Sequence, residues 1–510
     1  MTTNTYDQIP YPSLVYTDTH PGRLATLATL FGLKPPPVAT GRVLELGCGD
    51  GTNLIAIAQS LPQAECLGID FSVQQIATGQ QLVDTIQLPN ITLKQLDFSK
   101  IDEPLGQFDY IIAHGVYSWV PKEQQDTVLN LCQRCLAPNG IAYISYNIYP
   151  GWHMENVVRD LMRYHTQQLA EVPFSVSMMQ AKGIVRFIAH LRQPGKDAFD
   201  ILLQEKSQQL QAMLDNYLYH DFLELENHPV YFHQFVEHAR QHHLAYVTDI
   251  EFRHYLMLFF PPEVVEAMEE LFQDDFFKKE QYMDFFYNRT LRRTLLCHQN
   301  LSVNRELDWK ILPECYLATS LQLIDQNQES VQFQKTDGED IFIKHPLMKN
   351  AILYLTDCYP QRVSFEKLFK QVSKKLPQKN QDLSALRETF AQELLHLYCL
   401  EAVELSIDPA PFTTTFGTHP MASPLACHLS SQGQQPIINL RCELVNLSPI
   451  AMALLPYLNG KNDRKTLLSQ LKKLVEEGQI EPMKKDHLSS VLKQTLVEIA
   501  RSALLVKPDK

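Results

Sequence analysis

The stretch Glu45-Leu46-Gly47-Cys48-Gly49-Asp50-Gly51-Thr52 directly follows Arg42-Val43-Leu44. Glycines on alternate positions let a strand turn into a helix with no Cβ in the way, so that backbone lies directly against a ligand. A second apolar run, Ala64 to Ile69, ends in Asp70, an acid placed to hold a ribose diol. The nicotinamide-dinucleotide spacing Gly-x-Gly-x-x-Gly would need its third glycine at position 52, which is Thr52. The spacing here is Gly-x-Gly-x-Gly.

Outward from that core, Ala64–Asp70 reads as the second strand, Phe71-Ser72 as the turn into a helix, and Ile91–Phe98 as a third strand carrying Asp97 at its end. Phe108–His114 reads as the fourth, and Leu136-Ala137-Pro138-Asn139-Gly140 as the turn before a fifth, Ile141–Ser145. The acid-first glycine motif and these ordered strand ends resemble motif I and the following segments of the class I S-adenosylmethionine (SAM) methyltransferases. That resemblance implies SAM as cofactor and an α/β, Rossmann-like sheet. It also implies roles: Glu45 and the backbone at Gly47, Cys48, Gly49 and Gly51, with Asn53, around the methionine end; Asp70 and Phe71 at the ribose; Asp97 and Phe98 at the adenine.

Five divisions are expected. Residues 1–40 form an N-terminal segment with Tyr6, Tyr11, Tyr16, His20 and Arg23, then a helix opened by Pro21 and closed by Gly32. It reads either as a lid over the cofactor or as a helix covering the sheet edge. Residues 41–155 form the SAM-binding core, 156–225 a helical insertion, and 226–300 the completion of the sheet, with strands near Ala245–Ile250 and Thr290–Cys297. Residues 301–510 read as a mainly helical, winged-helix-like region, with helices at Leu347–Asp357, Phe365–Val372 and Leu383–Leu397, a strand from Cys399 to Ile407, and later helices opened by Ser448-Pro449 and Asp463.

The 510 residues suffice for several domains, and 45% hydrophobic content marks a globular chain. A net charge of −13 argues against a general nucleic-acid binder, because phosphate neutralisation needs a basic surface. Ten scattered cysteines fit free thiols in a reducing, cytoplasmic compartment. No signal sequence is visible, and no apolar run approaches the ~20 residues that span a bilayer. Homodimerisation is left open.

In the methyltransferase fold the methyl group points to the end of the fourth strand, here Ala113-His114-Gly115-Val116-Tyr117-Ser118-Trp119. The Asp/Asn-Pro-Pro-Tyr/Phe quartet usual in amino-methylation of DNA bases is absent. Tyr117 and Trp119 could wall a cationic amine, because ring faces attract a cation; alternatively both rings pack the next helix. His114 could accept a proton or orient the acceptor, or simply end the sheet. After the fifth strand, Ser145-Tyr146-Asn147-Ile148-Tyr149-Pro150-Gly151-Trp152-His153 gathers polar aromatics on one loop. Asn147 could orient the nucleophile with Tyr149 lining the channel; the other reading is a turn packed on the inserted helices. No metal site is expected. Cys132 and Cys135 lie on a helix without a second pair, and His238 and His242 share a helical face without an evident carboxylate, so they read as a solvated face.

Four segments narrow the resemblance: Thr19-His20-Pro21-Gly22-Arg23-Leu24-Ala25, Leu44–Leu54, Ser145–Trp152, and Gln281-Tyr282-Met283-Asp284-Phe285 with Arg289–His298. They resemble bacterial methyltransferases that bear a methyltransferase regulatory domain. Similar members include rickettsial protein lysine methyltransferases of outer-membrane protein, which also carry a C-terminal winged helix. The resemblance implies transfer of methyl from SAM to a protein lysine. Two alternatives keep the same cofactor site: a small-molecule methyltransferase, and a SAM-binding regulator without turnover.

Overall fold

The computed structural model describes residues 5–101, 105–169, 172–192, 195–257, 260–326, 330–375 and 382–507. Its largest element is a seven-stranded sheet: β1 (Arg42–Leu46), β2 (Glu65–Asp70), β3 (Ile91–Gln95), β4 (Phe108–Ala113), β5 (Leu136–Asn147), β6 (Leu244–Asp249) and β7 (Leu291–His298). The spatial order is β3-β2-β1-β4-β5-β7-β6. The first five strands are parallel, and β7 runs antiparallel to both β5 and β6. The order reverses between β1 and β4, and a crevice beyond the strand ends at such a reversal is where open α/β sheets take ligands.

The helices between these strands are apolar on the sheet side for the expected reason. Every residue of the helix Thr52–Ser60 is buried, because Leu54, Ile55, Ala56, Ile57 and Ala58 fill the space under β1 and β2. Glycine is required where the next helix, Val73–Ile86, passes the loop after β1: a Cβ on Gly79 would lie 2.1 Å from the Asp50 carbonyl oxygen. The turn expected before the fifth strand sits at a register shift. Phe108 pairs with Leu136 and Tyr110 with Ile141, so residues 137–140 are taken up between the two pairings.

Between β5 and β6 the chain forms helices Gly151–Gln167, Phe174–Leu191 and Ala198–Ala212 around a core of their own, including Val158, Met178, Val185 and Leu203. Beyond residue 300 the described residues form two large cores where the sequence suggests one region. The first centres on Phe333, Leu347, Phe365 and Phe390, and the second on Leu455, Leu467, Leu471 and Leu496. The strand expected over Cys399–Ile407 is short: the helix Leu383–Cys399 takes the first residue, and only Glu404–Ser406 pairs, with Tyr316–Ala318. A further three-stranded sheet (Gln322–Gln326, Val331–Gln334, Asp340–Ile343) is not among the expected elements; its first strand is exposed throughout, while Val331, Phe333 and Ile343 point into the first of these cores. No helix among the described residues is long and apolar enough to cross a membrane.

One buried cluster ties the sheet edge to the helix Phe276–Tyr287. Arg292 on β7 is fully buried; its Nε donates to Asp284 at 3.0 Å, its Nη1 to Glu280 at 2.7 Å, and its guanidinium lies 4.0 Å from the Phe232 ring centroid. Burial works against that charge, but the two carboxylates outweigh it and hold the guanidinium firmly protonated.

Candidate functional site

At the carboxyl ends of β1, β2 and β4 lies a cavity of about 130 Å³ lined by Glu45, Gly47, Cys48, Gly49, Asn53, Asp70, His114 and Trp119. Gly47, Gly49 and Gly51 all have positive φ, at 67°, 58° and 76°, which glycine alone adopts without strain. A Cβ on Gly47 would meet Val116 at 2.7 Å, so the loop also needs glycine to pass the β4 segment. Asp70 sits at the end of β2 with Oδ2 accepting from Gly49 N at 2.9 Å and Oδ1 from Ser72 N at 2.9 Å. These bonds fix the carboxylate and leave it facing the cavity with a spare acceptor position on each oxygen.

Glu45 is 4% exposed; its Oε1 accepts from Asn53 Nδ2 at 2.8 Å, while Oε2 is buried without a partner. Burial pushes this carboxyl up to about 8. A buried acid lacking a donor is costly unless a ligand supplies one. The ammonium at the methionine end of SAM is a donor of that kind, and the spare acceptor positions of Asp70 suit ribose hydroxyls, so the donor and acceptor set fits this cofactor.

The N-terminal segment closes the cavity. Tyr16 N donates to Asn53 Oδ1 at 2.9 Å, and Asn53 Nδ2 also donates to Thr19 Oγ1 at 3.0 Å, so the residue that orients Glu45 also anchors the segment. Asp7 accepts from Ser72 Oγ at 2.6 Å, and Ser13 bonds Asp50. Tyr6, Tyr11 and Tyr16 thereby become lining residues. Of the two readings of residues 1–40, the described part lies over the cavity, while the helix Pro21–Leu30 packs into the core.

His114 donates to or accepts from Tyr143 Oη through Nδ1 at 2.8 Å, and its ring centroid lies 3.8 Å from that of Tyr16. Burial, with Arg293 nearby, pulls its pKa down to about 4, so the imidazole is neutral at pH 7. Trp119 lines the cavity, but Tyr117 does not: its ring packs edge-on to Phe235 and Tyr146, and its hydroxyl meets His238 Nδ1 at 2.7 Å. Asn147 and Tyr149 also lie outside the lining. Asn147 Nδ2 donates to Asn227 Oδ1 at 2.9 Å, and Tyr149 stacks on His153 with centroids 4.2 Å apart. Gly51 shapes the loop from behind, where a Cβ would meet Leu93 at 2.9 Å. Phe71 is 42% exposed and packs edge-on to Tyr6, Phe98 is buried in the core, and Asp97 is engaged by Ser99 and Lys100. Cys132 and Cys135 are buried free thiols, with burial pushing Cys132 up to about 12.

Sequence reasoning missed the contribution of residues 217–221. His220 and Asp221 line the cavity; His220 stacks on Tyr6 with centroids 4.4 Å apart and bonds the Ile9 carbonyl oxygen at 2.7 Å. Burial pushes the Asp221 carboxyl up to about 6. Asp50, the fourth carboxyl of the lining, was quoted in the glycine motif without a role. Altogether Glu45, Asp50, Asp70 and Asp221 line the cavity, and among its described lining residues none is Lys or Arg. A larger cavity of about 770 Å³ lies between residues 17–26, 250–253, 398–411 and 440–443; it is bordered by both charge signs and carries no part of the glycine loop.

Three family models match the chain: a methyltransferase domain over residues 44–142, a predicted methyltransferase regulatory domain over 214–298, and a "PKMT, C-terminal winged helix domain" over 419–504. An uncharacterized protein of Rickettsia prowazekii is 32% identical over 491 residues, covering 94% of this chain and 87% of the relative. A second from the same organism is 39% identical over 239 residues, covering 46% of this chain and 94% of the relative. The solved structure of PKMT2 from Rickettsia typhi superposes with a TM-score of 0.85 at 28% identity, covering 98% of this chain and 100% of that one. The same protein in complex with AdoHcy gives a TM-score of 0.84. AdoHcy is what SAM becomes once its methyl has left.

Proposed function

We propose that this chain, which belongs to the family of bacterial methyltransferases joining a SAM-binding domain, a regulatory domain and a PKMT-type winged helix, is a cytoplasmic protein lysine N-methyltransferase. The observation that carries the choice of acceptor is the charge of the cavity beyond the cofactor residues: Asp50 and Asp221 also line it, and among its described lining residues there is no Lys or Arg. Such a site attracts ammonium groups and repels carboxylate substrates. The solved relative's name, PKMT, read as protein lysine methyltransferase, supports a protein as the carrier of that amine.

SAM supplies a methyl group made electrophilic by its sulfonium. Glu45 and the Gly47–Gly51 backbone would hold the methionine end and Asp70 the ribose hydroxyls. The acceptor lysine would enter beside Trp119, Tyr11 and Tyr16 and reach Asp221. An amine must be neutral to attack, and two features favour its loss of a proton. The apolar, aromatic walls disfavour the ammonium by desolvation, and Asp221, whose carboxyl sits near 6, can take the proton while still ionised at neutral pH. The tyrosine hydroxyls stay protonated, Tyr16 being pushed up to about 12 and Tyr11 further still by burial, so they orient rather than act as bases. His114, neutral and tied to Tyr143, would position the acceptor. Alignment of amine with methyl is then the main catalytic device.

The test is transfer of labelled methyl from SAM into a bacterial protein extract, followed by hydrolysis to amino acids. Label in methyl-lysine supports the reading. Label confined to metabolites would assign a small-molecule acceptor, and SAM binding with no label would assign a sensor.

A further inference from the structure

The sequence places His238 and His242 four residues apart on one helical face with no carboxylate in reach. The fold supplies one from 112 residues earlier. Asp126, on the helix Lys122–Cys135, has its Oδ1 3.0 Å from His238 Nε2 and 3.0 Å from His242 Nε2. All three candidate ligand atoms lie within 4.8 Å of one another. Other histidines of the same stretch are committed elsewhere, His228 to Glu226 and His233 to Gln281.

We propose that Asp126, His238 and His242 form a binding site for a divalent transition-metal ion of the zinc class. Two imidazoles and one carboxylate are a zinc-type donor set that leaves a fourth position open. Ligand atoms ~2.0 Å from a tetrahedral ion lie roughly 3.3 Å apart, so the two 3.0 Å separations from Asp126 need only a small spreading to admit one. The outer shell is in place as well. His238 Nδ1 meets the Tyr117 hydroxyl at 2.7 Å, and Tyr117 is held by Phe235 and Tyr146. Metal-bound imidazoles characteristically have the second nitrogen fixed in this way.

Metal binding at this site has a defined proton consequence. Without the ion, each Nε2–H donates to Asp126, and His238 Nδ1 accepts from the Tyr117 hydroxyl. With the ion on Nε2, the single imidazole proton of His238 resides on Nδ1 and donates to the Tyr117 oxygen, so the direction of that hydrogen bond reverses with no net proton released. Tyr117 opens the turn Tyr117–Trp119, and Trp119 lines the cofactor cavity. The ion would therefore brace, from outside, the segment that follows β4.

The experiment uses the full chain, stripped with a chelator and titrated with Zn²⁺ against a chromophoric competitor, then with Co²⁺ followed by visible absorption. One equivalent per chain is expected, with affinity at least tenfold weaker in Asp126→Asn and in His242→Ala and SAM affinity unchanged in both. The ¹⁵N shifts of His238 should move from the Nε2–H to the Nδ1–H form on adding Zn²⁺. Binding well below one equivalent overturns the site. So does unchanged Zn²⁺ affinity in Asp126→Asn, which would reduce it to an ordinary pair of histidines near a helix end; the Asp126 side chain is 62% exposed, so that variant leaves the core intact.

Discussion

The two ends of the cofactor cavity are built in opposite ways. The cofactor end comes from short-range sequence: Glu45, Gly47, Gly49 and Asp70 stand at the ends of adjacent parallel strands, and backbone bonds such as Gly49 N to Asp70 fix them. The end we propose for the acceptor is assembled from Tyr6, Tyr11 and Tyr16 near the start of the chain, Trp119 after β4, and His220 and Asp221 from beyond the inserted helices. The first is a rigid grip whose geometry follows from the strand-turn-helix unit. The second depends on long-range packing, and changes there should alter what is methylated and how fast while leaving the grip intact.

The largest expected effect lies outside both ends, at the buried cluster that ties the sheet edge to the helix Phe276–Tyr287, and it should leave the division between them untouched. Arg292→Met leaves Glu280 buried without its cation and Asp284 with only the longer contact to Arg289 at 3.5 Å, and loss of one partner from such a cluster costs about 3–5 kcal/mol. Denaturant melts should show that loss. Next, Asp70→Ala should weaken SAM binding roughly 10- to 100-fold, the scale of a lost hydrogen bond to a charged group, measured by calorimetry. Retained affinity would remove Asp70 from the ribose.

The pH dependence separates the two ends. Asp221 must be ionised to receive the amine's proton, and its carboxyl sits near 6, so kcat/KM should fall as pH drops through about 6. Asp221→Asn should abolish that limb. His114, held near 4, should contribute no limb between pH 5 and 8. The smallest effect is expected at Asn147→Ala, which loses the bond to Asn227 and should cost about 1 kcal/mol of stability with SAM affinity unchanged.

The same contrast explains what could be read in advance. Strands β1 to β5 and the ligand-facing glycines are marked by local alternation, strand-end acids and turn residues, and so the sheet and cofactor are legible in the sequence. Asp97 shows what local reading leaves out: it stands just past the third strand, and Ser99 and Lys100 engage its oxygens in a capped turn. Tyr117 was a plausible wall residue by position, yet the buried faces of Tyr146 and Phe235 draw its ring into the core. His220 and Asp221 carried no motif at all. Only the folding of the insertion back against Tyr6 and Ile9 brings them to the cavity.

The most direct measurement pairs SAM affinity with single-turnover methyl transfer in Asp221→Asn. A cofactor grip separate from a composite acceptor end predicts a Kd for SAM within twofold of the unsubstituted protein and transfer at least tenfold slower at pH 7. Equal losses in both, or no loss in transfer, would contradict that division of the site.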